Sequence, residues 1–224
     1  MTKKKPLIWV YRLVACLLIL VGIGLILDRP LTHLMVKQNE TRVLHHITRK
    51  EILKNQKKPT SYDFKSVKDL SLSQVLDARF KGSAPVVGAL SIPAVKMNLP
   101  ILKGLSSESL SSGGATMKSD QRLGIGNYPL AGHYMTAKGI LFSPLAQVKL
   151  GQNVYLTDLK HVYRYQIYFK KIVPPTATWL VEGTKENIVT LITCADGGQN
   201  RWAVRGKLIQ TMPATKANLG VFKL

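Results

Sequence analysis

Thiols and acidic side chains are what this sequence has least of. Its 224 residues include 2 cysteines, Cys16 and Cys194, and 12 acidic residues against 32 basic ones. Two thiols that far apart give no disulfide framework on which a fold could rest. His33, His45 and His46 have no thiol or acidic cluster near them to complete a metal site of three or four converging ligands, and read as solvated histidines on a helical stalk. The chain also lacks internal repeats, low-complexity tracts and any nucleic-acid recognition motif. The formal charge of +20 fits a polyanionic neighbourhood, such as an anionic membrane face or an acidic wall polymer. The plainer reading of that charge is a lysine-rich solvated surface.

The one long apolar run is at the start. "MTKKKPLIWVYRLVACLLILVGIGLILDRP" opens with Lys3, Lys4 and Lys5 and is then apolar from Leu7 to Leu27, broken only by Arg12. That length approaches the roughly 20 residues needed to cross about 30 Å of hydrocarbon. Arg12 can snorkel to the headgroups beside Trp9 and Tyr11. A cleaved signal peptide would need a small-x-small site, and "LILDRP" offers none. The expectation is therefore an uncleaved signal-anchor: residues 1–6 as a cytoplasmic tail, 7–27 as a single membrane span and 28–59 as a basic helical stalk or linker. Residues 60–224 then form an extracellular domain, with the three lysines keeping the N-terminus inside. Cys16 and Cys194 fall in different compartments on this reading and cannot pair.

"KNQKKPTSYDF" reads as a linker, and a short helix over "LSQVLDARF" leads into the folded domain. From Val86 the texture changes to short β-branched and aromatic runs punctuated by Gly, Pro, Asn and Asp: "VVGALSIP", "VKMNLPIL", "NYPLAGHYM", "NVYLTD", "HVYRYQIYFKKIV", "NIVTLITC" and "RWAVRGKLIQTM". Such spacing predicts an all-β sandwich or barrel. "LFSPLAQVKLG", closed by Gly151, is the one convincing helical turn.

On this β framework, Cys194 ends the apolar strand "IVTLITC", His133 follows Ala131 and Gly132 in "LAGHYM", and Arg201 opens the strand after Cys194. Each has a bland reading: a small buried hydrophobe, a structural histidine, a surface cation. Together they suffice for acyl transfer. A thiolate attacks a carbonyl, an imidazolium protonates the leaving amine, and a guanidinium stabilises the oxyanion.

"TLITC" with an arginine opening the next strand, and "AGH" about sixty residues upstream, resembles the sortases. "GALSIPAVKMNLPILKGLS", "GIGNYPLAGHYM", "GILFSPLAQVKLGQNVYLTD" and "VYRYQIYFKKIVPPTATWLVEG" look like the class A, housekeeping members. The resemblance extends over about residues 60 to 213. It implies a closed eight-stranded β-barrel with short helices, and a cysteine transpeptidase that cleaves a Leu-Pro-x-Thr-Gly signal between Thr and Gly. The acyl group, held as a thioester, would pass to an amino group of a peptidoglycan precursor. It also implies Cys194 as nucleophile, His133 as acid/base and Arg201 as the oxyanion and substrate-orienting residue, with a thiolate–imidazolium pair favoured over a neutral one. The loop "PPTATWLVEGTKEN" would place Thr178, Leu180 and Val181 against the Leu-Pro end, Ala131 and Ile192 on the groove floor, and Thr193 near the oxyanion. No cofactor is implied. Arg205, where the family often has Lys, receives no catalytic role.

"GGAT" departs from the usual Gly-Ala-Gly-Thr. Some class A members bind calcium ahead of the histidine; here that stretch has only Glu108 and Asp120, with Lys118 between them, so no calcium dependence is expected. The loop before the cysteine strand is too short for the extra helix of class B, and no second apolar span follows residue 213, unlike the pilus-polymerising class. Two other functions fit the residues: a hydrolytic thiol endopeptidase with water as acceptor, and a non-enzymatic basic envelope-binding module.

Overall fold

The β-branched runs become strands that close on themselves. The computed structural model describes residues 5–63, 84–135, 137 and 139–224, without the side chains of residues 5–8, 25, 26, 28 and 29. The helix expected over "LSQVLDARF" lies outside the described residues. Eight strands follow: β1 (Val86–Ile92), β2 (Met97–Leu102), β3 (Gly114–Thr116), β4 (Asn127–Ala131), β5 (Asn153–Thr157), β6 (His161–Val173), β7 (Ile188–Ala195) and β8 (Asn200–Pro213). They form a closed barrel in the order β1-β2-β3-β4-β7-β8-β6-β5. Closure pairs both edges, so none of the described strands is left as a template for aggregation. β2–β3 and β4–β7 are parallel and the remaining pairs antiparallel. Seven strands coincide with the apolar runs of the sequence. The eighth, β3, is three residues of "GGAT", too short and too small in side chain to show a period.

Leu90, Ile92, Leu99, Ile101, Leu130, Leu156, Tyr165, Leu191 and Val204 fill the interior. Burying each large apolar side chain contributes about 1.5–3 kcal/mol relative to leaving it exposed. β6 alternates along its middle: Tyr165 and Ile167 point inward, Gln166 and Tyr168 outward. The expected helical turn is a 3-10 turn over Ser143–Gln147, and Gly151 beyond it takes a φ of +82° that favours glycine.

One helix, α1 (Lys5–His45), runs through Pro30 and across the boundary expected at residue 27. Among the described residues no helix is long and apolar enough to cross a membrane. The part of α1 before Gly24 nevertheless exposes apolar side chains on every face, among them Trp9, Val10, Tyr11 and Ile19. Its later half docks on the barrel: Val36 packs against Met135, Ile140 and Leu141, and Leu44 against Ala89, Val162 and Phe222. α2 (Arg49–Gln56) starts at an N-cap threonine, Thr48, whose hydroxyl accepts from the Glu51 N–H and donates to the Glu51 carboxylate. Arg49 then ties α2 to Asp158 at 2.8 Å. α3 (Ser107–Ser112) and α4 (Lys216–Leu219) are short, and the C-terminal Phe222 is fully buried beside Leu44.

Candidate active site

β4 and β7 run parallel, with Ala131 opposite Ile192. Two residues further along each chain, His133 and Cys194 arrive at the same level at one end of the barrel. β7 and β8 run antiparallel with Cys194 directly opposite Arg201, and directly opposed residues share a face of the sheet. Three neighbouring strands thus bring the three expected catalytic residues to one rim. All three are half-buried, and Cys194 is a free thiol.

The backbone around His133 is held from both sides. The Gly132 N–H donates to the Ile192 carbonyl at 3.1 Å, and the Thr193 hydroxyl donates to the Gly132 carbonyl at 2.7 Å. The His133 carbonyl accepts from the Phe142 N–H at 3.1 Å, so the chain returns beneath the histidine. The Phe142 ring is fully buried under Gly132, where any Cβ would stand 2.4 Å from its Cδ1. Glycine is therefore required there by close approach. Behind this return, the Glu40 carboxylate accepts the Leu141 N–H at 2.8 Å and pairs with Lys37 at 3.0 Å. Burial raises the Glu40 pKa, outweighing the Lys37 charge and the Leu141 hydrogen bond.

Arg201 is tethered to its own turn: Nη1 donates to the Gly198 carbonyl at 2.7 Å and the Asn200 carbonyl at 2.8 Å. That turn bends through Asp196, Gly197 and Gly198, all with positive φ, and an Asn200–Asp196 side-chain hydrogen bond closes it. The tether fixes one edge of the guanidinium, and its remaining donors are oriented from this base.

Beside the rim, Ala131, Val181 and Ile192 are half-buried over Leu105, Leu110, Ala115 and Met117, forming an apolar shelf. Thr178 is exposed at the start of a 3-10 turn, Thr178–Leu180, in the loop between β6 and β7. The other two groove candidates do not present their side chains at the surface. Leu180 is 2% exposed and packs on Val173 and Ala203, so it holds the loop down. Thr193 is also 2% exposed, and its hydroxyl is spent on Gly132 rather than on an oxyanion.

Sequence reading missed Asn127. It is buried at the start of β4, donates to the Leu180 and Glu182 carbonyls at 2.8 Å each, and accepts from the Thr190 hydroxyl at 2.7 Å. An asparagine beside a glycine reads as turn punctuation, and nothing local signals that it anchors a loop more than fifty residues away. The Gly132–Phe142 contact did leave a signal, the glycine of "AGH". Ahead of His133, the Lys118 ammonium lies 3.6 Å from the Asp120 carboxylate, which is thus paired with a cation of the chain itself.

A thiol, an imidazole and a guanidinium on one rim, next to an apolar shelf, can perform acyl transfer on a peptide whose apolar end lies on the shelf. The comparisons with known proteins agree. A family model described as the sortase domain matches residues 90–209. The chain is 35% identical over 211 residues to sortase A of Listeria monocytogenes, covering 91% of this chain and 93% of that one. It is 37% identical over 220 residues to sortase A of Streptococcus agalactiae, covering 94% and 89%. The solved structure of Listeria monocytogenes sortase A is similar with a TM-score of 0.60 at 39% identity, over 62% of this chain and 98% of that one. Sortase C-3 of Streptococcus pneumoniae has the same TM-score of 0.60 at 21% identity, over 83% and 96%, a likeness of fold alone.

Proposed function

The chain belongs to the sortase family, to its class A, and we propose from this membership and the rim geometry that it attaches Leu-Pro-x-Thr-Gly proteins to peptidoglycan. It is a cysteine transpeptidase that anchors proteins to the cell wall. The observation that carries the finer reading is the juxtaposition of Cys194 and Arg201 on β7 and β8 with His133, two residues beyond the adjacent β4.

The Cys194 thiolate attacks the Thr carbonyl carbon of the signal, forming a C–S bond and an oxyanion that the Arg201 guanidinium stabilises. Collapse breaks the Thr–Gly C–N bond, and His133 gives its proton to the departing glycine amine. An amino group of the peptidoglycan precursor then attacks the thioester, loses a proton to His133 and releases Cys194 as thiolate. Ala131, Thr178, Val181 and Ile192 receive the Leu-Pro end, with Leu180 and Thr193 as supports beneath. Proline's fixed φ lowers the ordering cost of that ligand, and leucine supplies apolar burial. Residues 7–27 span the membrane with the N-terminus cytoplasmic and the catalytic domain extracellular. The apolar run, the flanking lysines and the apolar side chains exposed on every face of α1 before Gly24 support that placement. The charge of +20 suits an anionic envelope and a lipid-linked acceptor.

The test is the fate of the acyl group. The full chain in detergent is mixed with a Leu-Pro-x-Thr-Gly peptide, with and without triglycine, and the products are separated. A transpeptidase forms mainly the triglycine amide once amine is present; acid as the main product in both cases makes the chain a hydrolytic endopeptidase. No cleavage by folded protein leaves the basic envelope-binding module.

A further inference from the structure

The loop between β6 and β7 carries Thr178 and Val181, yet its outer side is fastened by a residue assigned no part in the reaction. Arg205 lies on β8 opposite Thr190 of β7, four residues along the strand from Arg201. Its guanidinium carbon stands 4.5 Å from the centre of the Trp179 ring. Its Nη2 donates to the Trp179 carbonyl at 3.1 Å and the Leu180 carbonyl at 3.3 Å. Trp179 in turn meets Phe169 of β6 edge-on at 5.9 Å between ring centres. The Leu180 carbonyl is thus gripped twice, by Asn127 from within the barrel and by Arg205 from outside. Arg205 Nε is buried without a hydrogen-bond partner among the described residues. That placement carries a desolvation cost, which the stack and the two carbonyl bonds of the same guanidinium offset.

We propose that Arg205 and Trp179 brace the loop between β6 and β7, making Arg205 a positioning residue that sets the height of the wall of the Leu-Pro groove. This rests on the substrate assignment above. The brace acts on the two residues between Thr178 and Val181, so releasing it moves the groove wall. Cys194, His133 and Arg201 are placed by the main-chain ladders of β4, β7 and β8 rather than by this loop, and stay where they are. A planar guanidinium suits the task because it stacks on an indole face while its edge donates to two carbonyls. A lysine ammonium retains the cation–π attraction but is a point charge without that fork.

Arg205→Ala, Arg205→Lys and Trp179→Ala are compared with the unaltered full chain in detergent. The readouts are KM and kcat for a Leu-Pro-x-Thr-Gly peptide, and the rate at which iodoacetamide, which needs no groove, alkylates Cys194. The brace predicts that Arg205→Ala and Trp179→Ala raise KM about 10-fold, with kcat and alkylation within about 3-fold of the parent. Arg205→Lys falls between the two. Unchanged KM in both truncations overturns the brace, as does a fall in kcat and alkylation at constant KM, which would put Arg205 in the chemistry. Should the parent chain fail to cleave the peptide, the substrate assignment itself fails; cleavage by the parent with no KM effect fails the brace alone. If Arg205→Ala does not fold, the intermediate KM of Arg205→Lys decides.

Discussion

The catalytic rim and the loop beside it are fixed by different means. At the rim, a continuous ladder between β7 and β8 sets Cys194 opposite Arg201, and the parallel β4–β7 ladder brings His133 level with them. Main-chain hydrogen bonds hold the geometry there, so it survives changes in most side chains. The loop between β6 and β7 has no ladder. Asn127 from inside, Arg205 and Trp179 from outside, and the buried Leu180 hold it. The reacting atoms are thus placed by backbone and the substrate wall by a few side chains. Changes at the rim should therefore strike kcat, and changes at the loop KM.

The largest effect that would break this contrast is expected of Cys194→Ala. Removing the nucleophile should lower turnover by on the order of 10⁴-fold or more while the melting temperature stays close to that of the parent. Calorimetry beside a peptide-cleavage assay reads both, and residual turnover within a factor of ten would move the chemistry elsewhere. Gly132→Ala comes next. Its Cβ has no room against Phe142, so the backbone bearing His133 must shift. The expected loss is roughly 10–100-fold in kcat and roughly 1–3 kcal/mol in stability. A kcat unchanged by Gly132→Ala would show that the return through Phe142 does not place the histidine.

Asn127→Ala tests the other side of the contrast. It leaves the buried Thr190 hydroxyl without its acceptor, frees the Glu182 carbonyl and leaves the Leu180 carbonyl to Arg205 alone, at a cost of about 1–3 kcal/mol in urea unfolding. KM should rise while kcat moves little, and a selective loss of kcat would erase the distinction between rim and loop. The smallest effect is electrostatic. Burial raises the Glu40 pKa, so the folded chain binds this proton more tightly than the unfolded chain does. Its contribution to stability is full below the ordinary carboxylate value of 4.5 and is lost as pH rises through the raised pKa. Glu40→Gln should flatten that decline in a series of melting curves, and an unaltered slope would remove Glu40 as its source.

The same contrast explains what was legible before the structure. The β-branched runs between glycines and prolines gave an all-β sandwich or barrel, the resemblance to the sortases narrowed it to a closed eight-stranded barrel, and only β3, with no room for a period, escaped. Cys194, His133 and Arg201 were legible because strand ends and the residues opening the next strand are local features. Asn127 and Arg205 were not, because each acts on a loop distant in sequence and nothing around them announces a partner. Leu180 and Thr193 were placed at the substrate by the resemblance to the sortases. Burial and the hydrogen bond to Gly132 turn both inward, which alternation along a short segment cannot reveal.

The most direct test of the account is the intact mass of the full chain in detergent after brief exposure to a Leu-Pro-x-Thr-Gly peptide. The predicted result is a mass gain equal to the peptide through its threonine, located on Cys194, absent from Cys194→Ala and discharged as the amide when triglycine is added. Folded protein that gains no mass and releases no glycine fragment, or an adduct that persists in Cys194→Ala, would contradict it.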